Sequence, residues 1–252
     1  MSRVVHLLFL LAVLTIGSMC PLRVSATPSA RQIVERTCNL YHKSRSIQEQ
    51  WNCLIPINKK MAMHMVISSL QQGARFHIDM NVKIPGHSLD ANVLNAMSTM
   101  TVISNGNVIY NYYPNSHSYG AFSLRKGEKG ISDAELVIER LGMPIFLSMK
   151  HGQYQIEATS TIDHTPVWVI KYSLKSHPAD TETYYIDRDN YQLMRLITFA
   201  TTPYSNKSKM IMSINYQKFN LAVKSSEFKF SPPPGSQYID MRGRPAFLGP
   251  GI

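Results

Sequence analysis

The sequence predicts a mainly β domain with a few helices, its strands arranged antiparallel. Three observations carry this reading. Residues 74–84 alternate strictly, with Phe76, Ile78, Met80, Val82 and Ile84 on one side and Arg75, His77, Asp79, Asn81 and Lys83 on the other. That is the period of a strand with one buried and one wet face. Asn105-Gly106 then separates two apolar runs, and both residues tolerate the positive φ of a tight hairpin. Near the end, Phe228-Lys229-Phe230-Ser231-Pro232-Pro233-Pro234-Gly235 reads as a last strand that prolines forbid to continue, since proline has no N–H to donate.

The elements follow in order. Residues 1–26 read as an export signal: Arg3 supplies the positive start, Val4 to Ile16 is apolar apart from His6 and Thr15, and Val24-Ser25-Ala26 offers small residues for cleavage. The apolar run is shorter than the about 20 residues a spanning helix needs. Cleavage after Ala26 is the preferred reading; lipidation at Cys20 is the alternative, weakened by Met19 where a small residue is wanted. Residues 29–45 predict a helix, with Ser29 and Gln32 at capping-box spacing and Ile33, Thr37, Leu40 and Tyr41 on one face. Strands are expected at 51–57, 61–67, 74–84, 101–103, 108–113, 167–172, 183–186, 193–198 and 210–216. A weaker turn is expected at Arg188-Asp189-Asn190, and another at Asp163-His164. Ser132 and Glu135 open a second helix whose apolar face holds Leu136, Ile138 and Leu141; Gly142 and Pro144 break it before Ile145, Phe146 and Leu147. A further short helix is expected within 87–98. No repeat or long linker divides residues 27–252, so one domain is expected.

Charge and cysteines bound the function. The formal net charge is +10, and Arg3 and Arg23 in the leader account for two of it, leaving +8. Either this keeps a soluble surface dispersed, or it attracts anionic lipid headgroups or an acidic partner. The positive charges are scattered without interleaved aromatics, so nucleic acid is not an expected partner. Cys38 and Cys53 remain after cleavage. An even count in an oxidising compartment favours a disulfide from the first helix to the first strand, worth roughly 3 kcal/mol in a chain-entropy model; two separate buried thiols are the alternative.

These motifs, taken in order, resemble the LolA-type proteins that carry the acyl chains of outer-membrane lipoproteins. Val102 to Tyr110 is similar to the family's strand-turn-strand, Tyr113-Pro114 to its Tyr-x-Pro, and Met143-Pro144-Ile145-Phe146-Leu147 to its proline-containing lid. Tyr185-Ile186-Asp187 resembles its paired strand before a turn, and Phe228 to Gly235 its closing segment. The resemblance implies an unclosed β-barrel, a strongly curved antiparallel half-barrel with an N-terminal helix and lid helices over its mouth. It also implies a periplasmic location, lipoprotein acyl chains or lipid as ligand, an inner-membrane transporter as donor and an outer-membrane acceptor. The family's latching arginine has no single counterpart here: Lys83-Ile84-Pro85 carries Ile in its place, and Arg75 is the other candidate.

Methionine is the sharpest functional signal. Of the 14 in the chain, Met61, Met63, Met65, Met80, Met210 and Met212 lie on the expected apolar faces of three strands. Flexible, polarizable thioethers suit a wall that adapts to varied acyl chains. A Met-rich sheet core is the plain alternative. With the family resemblance, the expected trough is Trp51, Met61, Met63, Met65, Phe76, Ile78, Met80, Met210, Met212 and Ile214. The lid is Leu136, Ile138, Leu141, Ile145, Phe146 and Leu147.

No enzyme is expected. The histidines show no HExxH or comparable metal spacing, and there is no Gly-x-Ser-x-Gly elbow or phosphate-cradling glycine loop. Neither cofactor nor metal is expected, and Asn206-Lys207-Ser208 reads as a polar turn rather than a modified sequon. The expectation is a monomeric lipid or lipoprotein carrier. The alternative is a domain of the same fold that senses envelope lipids and regulates a membrane partner.

Overall fold

A computed structural model describes residues 27–56, 62–83, 98–123, 149–174, 177–202 and 205–240. The expected export signal, the helix expected within 87–98, both expected lid helices, Met61 and Ile84 lie outside the described residues.

Ala30–Lys43 forms the helix α1. Its start is fixed as the sequence predicts: the Gln32 N–H donates to Ser29 Oγ at 3.3 Å, and the Ser29 N–H donates to Gln32 Oε1 at 2.9 Å. His42 and Lys43 sit in the last turn, where positive charge complements the helix dipole. The buried stripe is Ile33, Val34, Thr37, Cys38 and Tyr41, while Leu40 is only half-buried. The face is therefore turned toward Val34 and Cys38 from the expected one.

Among the described residues, twelve strands form one sheet: β1 (Ile47–Pro56), β2 (Ala62–Gln72), β3 (Arg75–Lys83), β4 (Thr99–Ser104), β5 (Val108–Tyr113), β6 (Ser118–Ser123), β7 (Gln153–Ile162), β8 (Thr165–Leu174), β9 (His177–Asp187), β10 (Leu193–Thr202), β11 (Ser205–Phe219) and β12 (Gln237–Tyr238). The order is β12-β6-β5-β4-β3-β2-β1-β11-β10-β9-β8-β7. Two meanders, β1–β6 and β7–β11, thus meet in the middle, where β1 pairs antiparallel with β11. A bulge between Gln50 and Trp51 interrupts that seam, and such an extra residue bends and twists a strand. The sheet is strongly curved and its ends do not meet, the unclosed half-barrel that the motifs led us to expect.

Turn chemistry sets the hairpins. At β4–β5, Gly106 takes φ +93°, and Asn105 contributes its side chain: Oδ1 accepts from the Asn107 and Val108 N–H groups, both at 2.9 Å. At β7–β8, Asp163 and His164 both have positive φ, the two-residue geometry that matches strand twist. At β9–β10, Asp187 Oδ1 accepts from the Asp189 N–H at 2.8 Å.

The expected last strand is corrected. Ser225–Phe228 is a 3-10 turn, and the chain from there crosses the outer face of β3–β6 without joining a ladder. Phe228 is buried beneath the Arg75 guanidinium (5.0 Å), and Phe230 stacks on Tyr110 at 5.0 Å beside Tyr112 and Tyr119. The alternating aromatics mark a strap packed onto a sheet face. Pairing resumes only at β12, parallel to β6 for two residues.

Candidate functional site

The strand registers place the apolar positions on one face. Trp51 on β1 is opposite Ile67 on β2 and Ile214 on β11; Ile67 in turn faces Met80 on β3, and Met80 faces Met100 on β4. One step along, Cys53 lies between Met65 and Met212, Met65 faces Val82, and Met212 faces Leu196 on β10. Leu196 faces Tyr184 on β9, Tyr184 faces Ile170 on β8, and Ile170 faces Ile156 on β7. A single row therefore runs across eight strands, from β3 to β7.

Of the expected trough residues, Trp51, Met65, Phe76, Ile78, Met80, Met210 and Met212 are buried in one cluster. Met63 and Ile214 pack against it half-covered. Met61 is outside the described residues, as are all six expected lid positions. Met149, the last residue of the expected lid segment 132–149 and its one described member, packs on the same cluster. Cys38 from α1 and Cys53 join this core as free thiols, which corrects the expected disulfide. Burial pushes Cys53 up to about 12 and Cys38 to about 11, so both are neutral, unreactive apolar groups at neutral pH.

Sequence reasoning missed the polar groups on this face. At one end, the carboxylate of Glu49 is buried under α1. Tyr41 Oη donates to its Oε1 at 2.9 Å, Trp51 Nε1 donates to Oε2 at 3.1 Å, and the Gln217 amide donates to both Oε1 and Tyr41 Oη. Burial is the largest influence on this carboxyl and raises its pKa; the three donors act in the other direction. At the opposite end of the strands, Tyr172 on β8 faces Tyr154 on β7 and Glu182 on β9. Thr198 Oγ1 donates to Glu182 Oε1 at 3.0 Å, and Thr198 is itself opposite Met210 on β11. Glu182 therefore stands in line with a trough methionine. It takes Lys150 Nζ on both oxygens (2.8 and 2.9 Å) and Tyr184 Oη at 2.5 Å. No local sequence signal places Glu182 inward, because Tyr184, Tyr185 and Ile186 form a continuous apolar run.

The outer face is different in kind. A cavity of about 360 Å³ there is lined by Gln48, Gln50, Ser68, His77, Asp79 and Tyr216 among others. His77 Nε2 is 3.3 Å from Asp79 Oδ2 and its Nδ1 is 3.1 Å from the Glu227 carbonyl oxygen. Both ring nitrogens are thus engaged. The cavity's lining mixes these polar side chains with Leu70 and Tyr216, unlike the methionine-rich inner face. Among the described residues, no cluster of three or more His, Cys, Asp or Glu has metal-holding geometry.

No family model matches the chain, and no curated protein matches it. Solved structures do. An uncharacterized conserved protein from Thermus thermophilus is 9% identical, with 84% of this chain and 98% of that one covered and a TM-score of 0.47. The lipoprotein LppX of Mycobacterium tuberculosis is 11% identical over 78% and 97%, with a TM-score of 0.45. A LolA superfamily protein from Nitrosomonas europaea is 9% identical over 81% and 99%, with a TM-score of 0.33. The solved structures similar to this chain include a LolA superfamily protein, the group its motifs resemble. The likeness is one of architecture and says nothing of ligand or partner.

Proposed function

We propose that the protein binds acyl chains of lipids or lipoproteins against the inner face of its half-barrel and carries them across the periplasm to the outer membrane. One observation carries the reading: six described methionines from four strands, Met63, Met65, Met80, Met100, Met210 and Met212, fall on one continuous face. An ordinary core gains little from clustering its most adaptable side chains. A ligand wall gains adaptability, and each buried methylene of a chain contributes about 0.8 kcal/mol. The motif resemblance supports the same reading, and non-covalent transport requires no catalytic group.

Native mass spectrometry of the protein isolated from a bacterial periplasm tests it. A co-purifying diacyl lipid or lipopeptide is the expected result; protein that remains free of adducts when lipid is supplied in excess overturns it. Transfer of bound lipid to acceptor vesicles distinguishes a carrier from a domain that senses lipid and regulates a partner.

A further inference from the structure

We infer that the acyl ligand carries an anionic head group and that Lys150 receives it at the tyrosine-lined end of the inner face. The inference rests on the acyl-binding reading and adds an orientation and a ligand class to it. The inner face is not uniform. Its β1–β4 half is walled by methionine and isoleucine, whereas its β7–β9 end presents Tyr154, Tyr172 and Tyr184 around Glu182 and Lys150. A ligand with an apolar body and a polar end fits such a face in only one direction.

The chemistry of the cluster favours an anion. Glu182 is already served by Lys150, Tyr184 and Thr198, and its side chain is only 17% exposed. It has little capacity for a further donor. Lys150 gives two contacts to Glu182, and its side chain keeps 45% exposure, with the ammonium 5.8 Å from the centre of the Tyr172 ring. An ammonium has three protons to donate, so a phosphate or carboxylate oxygen can join it while the existing pair holds it in place. The Lys150 backbone is itself fixed, its N–H donating to Tyr154 Oη at 2.9 Å. The cation is thus pre-positioned at the end of the row that begins at Met210, and the chain's positive net charge favours the same class of ligand.

The test compares dioctanoyl-phosphatidylglycerol with dioctanoylglycerol, which have the same acyl chains with and without the phosphate. Fluorescence of the buried inner-face Trp51 reports binding, with a shared contribution from Trp168. The expected result is tighter binding of the phosphatidylglycerol by about tenfold, the effect of one charge-assisted hydrogen bond. Lys150→Met, which keeps the stem over Tyr172, is expected to abolish that preference and leave dioctanoylglycerol affinity unchanged. Lys150→Met with Glu182→Gln controls for an unpaired carboxylate and is expected to behave like the single variant. Equal affinities for the two lipids in wild type, or a preference that survives both variants, overturns the inference while the acyl-binding reading stands. Binding of neither lipid overturns both. Glycerol phosphate that binds as tightly as the phosphatidylglycerol would make this a free-anion site and also overturn the inference.

Discussion

Met212 on β11 lies directly opposite Cys53 on β1, and both side chains are almost completely excluded from solvent. The contact joins strands far apart in sequence and closes the seam between the two meanders. Through it the methionines of β2 and β3 become continuous with those of β11. The continuity of the buried inner face depends on this seam.

Met212→Ala should therefore destabilise the protein by about 2–5 kcal/mol, the range for truncating a large buried side chain. Met212→Leu, which conserves volume, should cost less than about 1.5 kcal/mol. Urea unfolding of both variants is the measurement. The leucine variant should also bind a narrower range of acyl-chain lengths, because leucine adapts its shape less than methionine.

The buried carboxyl of Glu49 gives a pH signature. Its pKa in the folded protein is raised above the ordinary value of 4.5, chiefly by burial. A group with a raised folded-state value contributes stability that is complete below its unfolded pKa and is lost as pH climbs through the folded one. Stability should therefore fall as pH rises from about 4.5 through that raised value. Glu49→Gln should flatten this part of the curve. An unchanged slope in the variant would show that another group sets it.

A second pH effect lies on the outer face. His77 lies between Asp79 and the Glu227 carbonyl, and the Asp79 hydrogen bond is the first cause of its raised pKa. Its contribution is complete below pH 6.5 and is lost as pH rises through the raised value. Amide exchange in residues 225–240 should accordingly quicken, beyond the intrinsic base dependence, above that pH. His77→Gln should remove the extra dependence.

Much of this is legible in the sequence, for identifiable reasons. The α1 start, the strands of residues 75–83 and 108–113 and the Asn105-Gly106 turn rest on local chemistry, and each forms where expected. Strand β7 leaves no clear signal because it lies at the sheet edge, where Gln, Thr and Ser dominate and a bulge after Ile156 breaks the alternation. The strap imitates a strand because Phe228 and Phe230 alternate against a sheet face much as strand residues do. The polar cluster around Glu182 depends on register across four strands, information that no local window contains. Cysteine parity favours a bridge, but parity cannot show that each thiol has its own place in the core.

The thiols give a direct check. In residues 27–252, a thiol reagent should find no reactive group in the native protein and two after unfolding without reductant. No reactive thiol after unfolding would restore the disulfide.

Acyl chains, in the function proposed above, lie against the inner face. Photo-crosslinking with a diazirine fatty acid, followed by peptide mapping, tests this placement most directly. Labels are expected on the strands of Met63, Met65, Met80, Met210 and Met212, at inward-facing positions. Labels confined to outer-face residues such as Val66, Tyr216 and Tyr238, or none above a competitor control, would contradict it.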